Sequence, residues 1–323
     1  MKTKKILQTI IIISTLLFLY GCSFFTQKGT VSLSLTDAPI ADREDIEGVY
    51  ITITSIEYNL NDEWIIDTNF EGPQTFNLLD LTNGKVSLLS NIILEEGTVS
   101  QIRFNLDAEI EDNSKDTNED SNCYIIIDSD GTIDKIIDET DIKYPLFIPS
   151  GKQTGYKAVG EFIVPANGEV EITADFDVRK SIVQRGSKDS HDYLLKPTIR
   201  LIVNNQAGSI SGSFSINNST AYNSFTIFAY KTGEFEESEL SPDSETPVYF
   251  DNAESSTQVM DSNDDGLPNT YILPFLAQGS YDLIVTGINS LNEYTILDST
   301  SYVNIDVISE EKTTEDIEII IPL

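Results

Sequence analysis

Asp261, Asn263 and Asp265, closed by Gly266, set side-chain oxygens at alternate positions of the segment Asp261-Ser-Asn263-Asp-Asp265-Gly266. Alternating carboxylate and amide oxygens that converge around a glycine turn form the first half of a calcium loop. The bidentate acid that would complete such a loop at its twelfth position is replaced here by Ile272. The segment therefore also reads as a hairpin turn leading into a strand. Calcium on Asp261, Asn263 and Asp265 is the only cofactor expectation, with the turn as its rival. A second constellation is Asp175 and Asp177, two carboxylates flanking Phe176. On a strand they share a face with Thr173 and Arg179, opposite the apolar even positions. Paired carboxylates can divide acid and base roles in hydrolysis. In a chain with 53 acidic residues, however, chance pairs are expected. The plainer expectation is a solvent-facing row, partly neutralised by Arg103, Lys196 or Arg200. The sole histidine, His191, lies between Ser190 and Asp192 in a polar stretch. Adjacency does not make a triad, which needs geometry across the fold, so a surface loop is expected. One His and two Cys cannot supply an ordinary zinc cluster. There is no glycine-rich phosphate loop. No catalytic residue is assigned, and the chain is not expected to be an enzyme.

Trp64, the only tryptophan, follows Asn61-Asp-Glu63 in a hairpin-like segment. It reads first as a cap on the core and second as a platform for a sugar ring. Tyr50, Tyr58, Tyr222 and Tyr230 read as core or rim. Cys123 opens the apolar run Cys123-Tyr-Ile-Ile-Ile127, which points to a buried, inert thiol.

The elements that would hold these residues are written in period two. Val31-Ser-Leu-Ser-Leu35 and Ile102-Arg-Phe-Asn-Leu106 alternate, as do Val170, Ile172, Ala174, Phe176 and Val178. Ile199-Arg-Leu-Ile-Val203, Tyr281-Asp-Leu-Ile-Val285 and Ile317, Ile319, Ile321 continue the pattern. Turn pairs intervene at Asn83-Gly84, Asp130-Gly131, Asn167-Gly168 and Asp265-Gly266. No long segment has a 3.6-residue period, although 76–81 could make one helical turn. The fold class predicted is all-β: two tandem antiparallel β-sandwich domains, Ig-like or prealbumin-like, of residues 29–204 and 205–323. The break is placed at the polar patch Asn204-Asn-Gln-Ala-Gly208. The acidic segment 107–120 and the polar stretch 233–247 read as solvated loops.

The N-terminus carries an address. Lys2, Lys4 and Lys5 precede an uncharged apolar run over 6–20, then Gly21 and Cys22. Basic start, apolar core and small residue before a cleavage site describe a secretory signal, here 1–21. Fifteen residues rise only about 22 Å as a helix at ~1.5 Å per residue, short of a ~30 Å hydrocarbon core. The ending Leu19-Tyr20-Gly21-Cys22 resembles a bacterial lipobox, although Tyr20 stands where that motif usually has a small residue. The resemblance implies cleavage between Gly21 and Cys22, acylation of Cys22, and a tether over 22–28. Ser23 after the cysteine resembles an outer-membrane sorting choice. With Cys22 acylated, Cys123 has no disulfide partner within the chain. The formal net charge is −33, and loss of the three signal lysines makes the body more acidic still. Such a chain repels phosphate backbones, so no nucleic-acid partner is expected.

Gly29-Thr-Val-Ser-Leu-Ser-Leu-Thr-Asp-Ala-Pro39 and Val49-Tyr-Ile-Thr-Ile-Thr-Ser-Ile56 resemble the opening of the DUF4382 family. The similarity continues through Gln101-Ile-Arg-Phe104, Ile148-Pro-Ser-Gly151, Ala174-Asp-Phe-Asp177 with Arg179-Lys-Ser181, and Leu195-Lys-Pro-Thr-Ile-Arg200. It covers about 29–203 and implies an exported protein without an assigned activity. Residues 208–323 resemble the carboxypeptidase regulatory-like, or prealbumin-like, sandwich. That likeness rests on Gly208-x-Ile210-x-Gly212 and on Tyr271-x-Leu273-x-x-Leu276-x-x-Gly279-x-Tyr281-x-Leu283. It implies stalks, spacers or carbohydrate-binding-like modules. The expected function is a non-catalytic binding or spacer module of the bacterial cell envelope, held by an N-terminal lipid, at the outer membrane. Its expected partners are the membrane and a glycan or envelope protein. The alternatives are a structural assembly subunit that uses exposed strand edges and a hydrolase of unrecognised type.

Overall fold

The computed structural model describes residues 26–38, 46–107, 122–127, 142–148, 155–185, 192–196, 198–218, 221–241, 248–263, 266–290 and 293–321. Gly21, Cys22, His191 and Asp265 lie outside these, as does almost all of the acidic segment 107–120.

The protein is all-β, with β-sandwich architecture. A four-stranded sheet runs in the order Ile199–Val203, Glu169–Asp177, Lys28–Ala38, Ser87–Glu95. It packs on a larger sheet centred on the strands Ile46–Leu60 and Gly97–Leu106. Alternation does what the sequence requires: Val31, Leu33 and Leu35 turn inward beside Ile172, Ala174 and Phe176. They meet Ile56, Tyr58, Ile102 and Phe104 of the facing sheet in one apolar cluster. Burial of a side chain of this size stabilises by roughly 1.5–3 kcal/mol. A single turn of 3-10 helix, Leu78–Leu81, falls within the predicted helical stretch.

The sheets are not purely antiparallel. Lys28–Ala38 runs parallel to Glu169–Asp177, with Val31 opposite Val170 and Leu33 opposite Ile172. Ala207–Ile216 likewise runs parallel to Lys312–Thr314 and Ile317–Ile319. In each case a strand pairs with one that lies about a hundred residues or more farther along the chain. The intervening chain serves as the long crossover that parallel pairing needs.

After Val203 the chain makes one 3-10 turn, Asn204–Gln206, and enters the strand Ala207–Ile216. Here the five-stranded sheet is apolar on both faces. From Ser224–Lys231 and Gly279–Ile288, one face sends Phe225, Ile227, Ala229, Tyr281, Leu283 and Val285 into a cluster with Ile210, Tyr271 and Leu273. The other face sends Phe228, Tyr230 and Ile284 into a third cluster with Phe250 and Ala253. Phe235 and Leu240 pack against that third cluster, so the stretch expected to be solvated at 233–247 is in part a cover for the sheet. Two well-spaced aromatic and aliphatic side chains in an otherwise polar run suffice for that role. Residues 242–247 lie outside the described residues.

Candidate functional site

The strand Glu169–Asp177 delivers its even residues to the core; of its odd residues Glu169 and Glu171 reach solvent, but Thr173 and Asp175 do not. Thr173 is 0% and Asp175 6% exposed. The expected solvent-facing acidic row is therefore corrected: the row is buried, because the chain around Asp251 and Glu254 lies across it. Asp175 stands directly opposite Arg200 in the antiparallel ladder, and Arg200 Nε donates to its Oδ2 at 2.6 Å. Arg200 is thus the neutralising residue. Arg103 instead pairs with Glu57 at 3.0 Å.

Asp177 ends the strand and caps a single helical turn, Val178–Ser181, its Oδ1 accepting from the Lys180 backbone N–H at 3.3 Å. The turn is pinned twice more. Asp37 Oδ1 accepts from Val178 N at 3.0 Å, and Ser181 Oγ donates to the Asp177 carbonyl at 2.6 Å while accepting from Thr198 N at 2.9 Å. This turn aims Arg179 into the third apolar cluster. Its side chain is 2% exposed and pairs with Asp177 at 3.2 Å. Nη1 donates to the Phe250 carbonyl at 2.6 Å and to that of Tyr249 at 3.4 Å. The guanidinium carbon lies 5.4 Å from the centre of the Phe228 ring, which is itself stacked on Phe250 at 4.1 Å. Lys180 Nζ donates to the Ala253 carbonyl at 3.2 Å. Arg200 Nη1 lies 3.9 Å from Glu254. Farther along the same seam, Thr257 Oγ1 donates to Asn83 Oδ1 at 2.9 Å.

Asp175, Asp177, Lys180, Arg200, Asp251 and Glu254 line a cavity of about 280 Å³ in this seam. Burial alone would raise the Asp177 carboxyl, but the Arg179 and Lys180 charges and their hydrogen bonds outweigh it and hold the group below the usual carboxylate range. Burial pulls the Lys180 ammonium below its usual value, against the opposing pull of Asp177. An Asp177 kept ionised is unsuited to donate a proton near neutrality. Its geometry suits a clamp: a carboxylate that orients one arginine, which in turn gathers backbone carbonyls from a distant part of the chain. Tyr249, Phe250 and Ala253, which complete the clamp, were not singled out from the sequence. The aromatic pair Tyr249-Phe250, emerging from a polar stretch, was the available signal.

The other residues picked from sequence fall elsewhere. Asp261 Oδ2 accepts from Gly266 N at 2.7 Å and its Oδ1 from Asn263 N at 3.3 Å. Asn263 Oδ1 accepts from Asn269 Nδ2 at 2.7 Å. Oxygens of Asp261 and Asn263 thus make turn bonds, and Asp265 lies outside the described residues. Among the described residues no group of three or more His, Cys, Asp or Glu is placed to hold a metal. Trp64 does not cap the core: it is 39% exposed, on the outer face of the larger sheet, with the Arg103 guanidinium 3.9 Å from its ring centre. Tyr58 and Tyr230 are fully buried, whereas Tyr50 stacks on Tyr124 at 4.7 Å.

Cys123 is 0% exposed, its Sγ accepting from Thr52 N at 3.4 Å. Burial pushes its thiol up to about 12, only partly opposed by the Thr52 bond. The thiolate is the reactive form, so Ellman's reagent at pH 8 is expected to leave Cys123 untouched in the folded protein and to titrate it after unfolding in guanidinium. Rapid reaction of the native thiol would contradict this burial.

A comparison with curated proteins gives no match. Among solved structures, the chain is similar to a leucine-rich repeat protein from Bacteroides thetaiotaomicron, with 12% identity and a TM-score of 0.22. That alignment covers 92% of this chain but only 26% of the other, so the chain spans about a quarter of that protein's length. It is also similar to the minor pilin GBS52 of Streptococcus agalactiae, at 10% identity over 90% and 97% of the two chains, TM-score 0.20. The major pilin subunit BcpA of Bacillus cereus gives 10%, 91% and 99%, again with a TM-score of 0.20. Scores this low transfer no function. The family comparison is of another kind, because it aligns more than half of the sequence, including the strand and helical turn that build the clamp. Residues 28–197 match the model of a domain of unknown function, DUF4382, and the protein belongs to that family.

Proposed function

We propose that this protein is a non-catalytic module of the bacterial cell envelope, anchored by a lipid on Cys22, that works as a stiff spacer presenting binding surfaces away from the membrane. In this reading residues 29–204 and 205–323 are two sandwich domains. The observation that carries it is the Arg179 clamp. Two sandwiches joined by a flexible linker would move independently, as is usual for small polar interfaces. Here the link is one 3-10 turn, Asn204–Gln206, and a 2%-exposed arginine of the first unit is bound to two carbonyls of the second. Stiffness is of use to a spacer and has no evident use to two independent domains. The acidic body supports the anchor reading, since it has no electrostatic attraction to an anionic membrane. Several acyl chains on one residue would hold it there, as a single chain binds only marginally.

Two measurements test the proposal. Cells fed an alkyne-bearing palmitate analogue should label the wild-type protein and leave Cys22→Ala unlabelled; an unlabelled wild type removes the anchor. Spin labels placed one in each sandwich should give a narrow distance distribution that broadens in Arg179→Ala. A broad distribution in the wild type removes the stiff spacer.

One observation favours the assembly alternative. The strand Ser87–Glu95 lies at the end of its sheet and exposes Leu88 at 56% and Ile93 at 63%. Apolar edge strands are templates for pairing with another chain. Replacing Leu88 and Ile93 with lysine should abolish any cross-linked oligomer in cells, and an unchanged cross-linking pattern would remove this alternative.

A further inference from the structure

The outer face of the larger sheet carries an ordered array of polar side chains beside Trp64. Antiparallel register places directly opposed residues on one face. Ile66 opposes Glu57, Glu57 opposes Arg103, and Arg103 opposes Lys157, a row across four strands. Beside it, Trp64 opposes Asn59 and Asn59 opposes Gln101. Ser55 and Asn105 form a third row. All of these point away from the buried side, where Ile56, Tyr58, Ile102 and Phe104 lie.

The polar members hold one another in place. Glu57 accepts from Arg103 Nη1 at 3.0 Å and from Asn105 Nδ2 at 2.9 Å, one bond to each carboxylate oxygen. Asn105 Nδ2 also donates to Ser55 Oγ at 2.9 Å, and Ser100 Oγ to Asn59 Oδ1 at 2.9 Å. Arg103 Nε is buried with no hydrogen-bond partner. Above this lattice stands Trp64. Arg103 lies over its ring, and Trp64 as a whole stays 39% exposed.

We infer that this face is a binding platform for a neutral hexose oligosaccharide, which rests on reading the protein as a binding module and names its ligand class. The apolar, C–H-bearing face of a pyranose fits an aromatic ring face, whose quadrupole is negative. Planar amide, carboxylate and guanidinium groups fixed beforehand bind hydroxyls at small cost in side-chain ordering. Gly155 packs over Arg103 and Asn105 at one side of the rows, and the partly exposed strip from Trp64 to Gln101 suits an extended chain of sugars better than a small molecule that needs enclosure. Charge selects among saccharides. Arg103 is neutralised by Glu57, and although Lys157 adds one exposed cation to the row, a body of net charge −33 repels phosphorylated or uronic-acid polymers.

Trp64 is the only tryptophan, so fluorescence excited at the red edge, where tyrosine does not absorb, reads this position alone. The full chain, in a detergent without a sugar headgroup, would be titrated with cellohexaose, maltohexaose, β-1,4-mannohexaose and, as the anionic comparison, hexagalacturonate. At least one neutral hexasaccharide should give a saturable emission shift and at least a twofold fall in acrylamide quenching, with no response to hexagalacturonate. Calorimetry should then show binding weakened about tenfold or more in Trp64→Ala, and weakened also in Gln101→Ala, whose side chain is only partly buried. Silence with all three neutral sugars, a stronger response to hexagalacturonate, or unaltered affinity in both variants would overturn the inference. So would photo-cross-linking from position 64 to an envelope protein in the absence of any sugar response. Silence here beside a labelled Cys22 and a narrow inter-sandwich distance would leave the spacer standing without this ligand.

Discussion

Arg179→Ala should lower stability by about 3–5 kcal/mol, the range for breaking a buried ion pair by removing one partner. The substitution strips Asp177 of its main counter-charge and leaves the carbonyls of Tyr249 and Phe250 without that donor, in a seam where the arginine is 2% exposed. Lys180, 3.7 Å from the same carboxylate, offsets part of the loss. For a unit of this size the melting temperature should fall on the order of 10 °C. Arg179→Lys is expected to rescue little, since one ammonium cannot reproduce a planar fork that reaches a carboxylate and two carbonyls together. Urea unfolding followed by far-UV circular dichroism provides the measurement, and a loss under about 1 kcal/mol would mean that the clamp is idle.

The same pair sets a pH signature. Asp177 is held below its ordinary carboxylate value in the folded state. A depressed folded pKa contributes stability that is fully present above the unfolded value, near 3.9, and is lost as pH falls through the folded value. The difference between wild type and Arg179→Ala should therefore be flat from pH 5 to 7 and shrink below about pH 4. A difference that grows on acidification would contradict the ion pair.

The second large effect is expected at Gly212. A Cβ there would meet the Glu315 carbonyl oxygen at 1.9 Å and its carbon at 2.6 Å, both backbone atoms that cannot rotate aside. To admit it, the 315–316 segment must shift away from Ala207–Ile216. That shift would weaken the bonds from Glu315 N to Ser211 O at 3.0 Å, from Ser213 N to Asp316 at 2.8 Å, and from Tyr271 Oη to Glu315 O at 2.6 Å. Gly212→Ala should cost about 3 kcal/mol, the upper part of the range for overpacking. Gly233 is the control: a Cβ there meets nothing within 4 Å, but its φ is +81°. Gly233→Ala should cost only about 1 kcal/mol, through backbone strain alone. Equal costs at the two positions would show that close approach is not what requires Gly212.

Strand type and the inward face were legible from the residues. Val170, Ile172, Ala174, Phe176 and Val178 alternate in sequence and are all buried, because a period of two has only one way to face a core. Turn positions were legible for a similar reason: Asn83 and Gly84 both take positive φ, at 59° and 79°, as few residue pairs readily do. The opposite face of the same strand was not legible. Thr173, Asp175 and Arg179 look like a solvated row on one strand, and alternation cannot reveal that Asn204 bonds the first or that a segment some seventy residues later lies over the other two. Trp64 shows the converse. Its apolar bulk argued for the core, but the register opposite Asn59 puts it on the outer face.

What the sequence determined by itself, then, is what depends on near neighbours: the all-β class, the alternating strands, the turns at Asn83-Gly84 and Asn167-Gly168 and the buried setting of Cys123, whereas Asp130-Gly131 lies outside the described residues. Each follows from dihedral preferences and side-chain periodicity within a few residues. The tertiary structure alone decided which carboxylate meets which cation, that Arg200 rather than Arg103 faces Asp175, and that Arg179 crosses from one apolar cluster's sheet to another's carbonyls. Those outcomes depend on strand register and on packing between segments far apart in the chain. Charge–charge attraction is too unspecific in sequence to encode them: 53 acids and 20 bases offer many possible pairs, and only burial selects the few that matter.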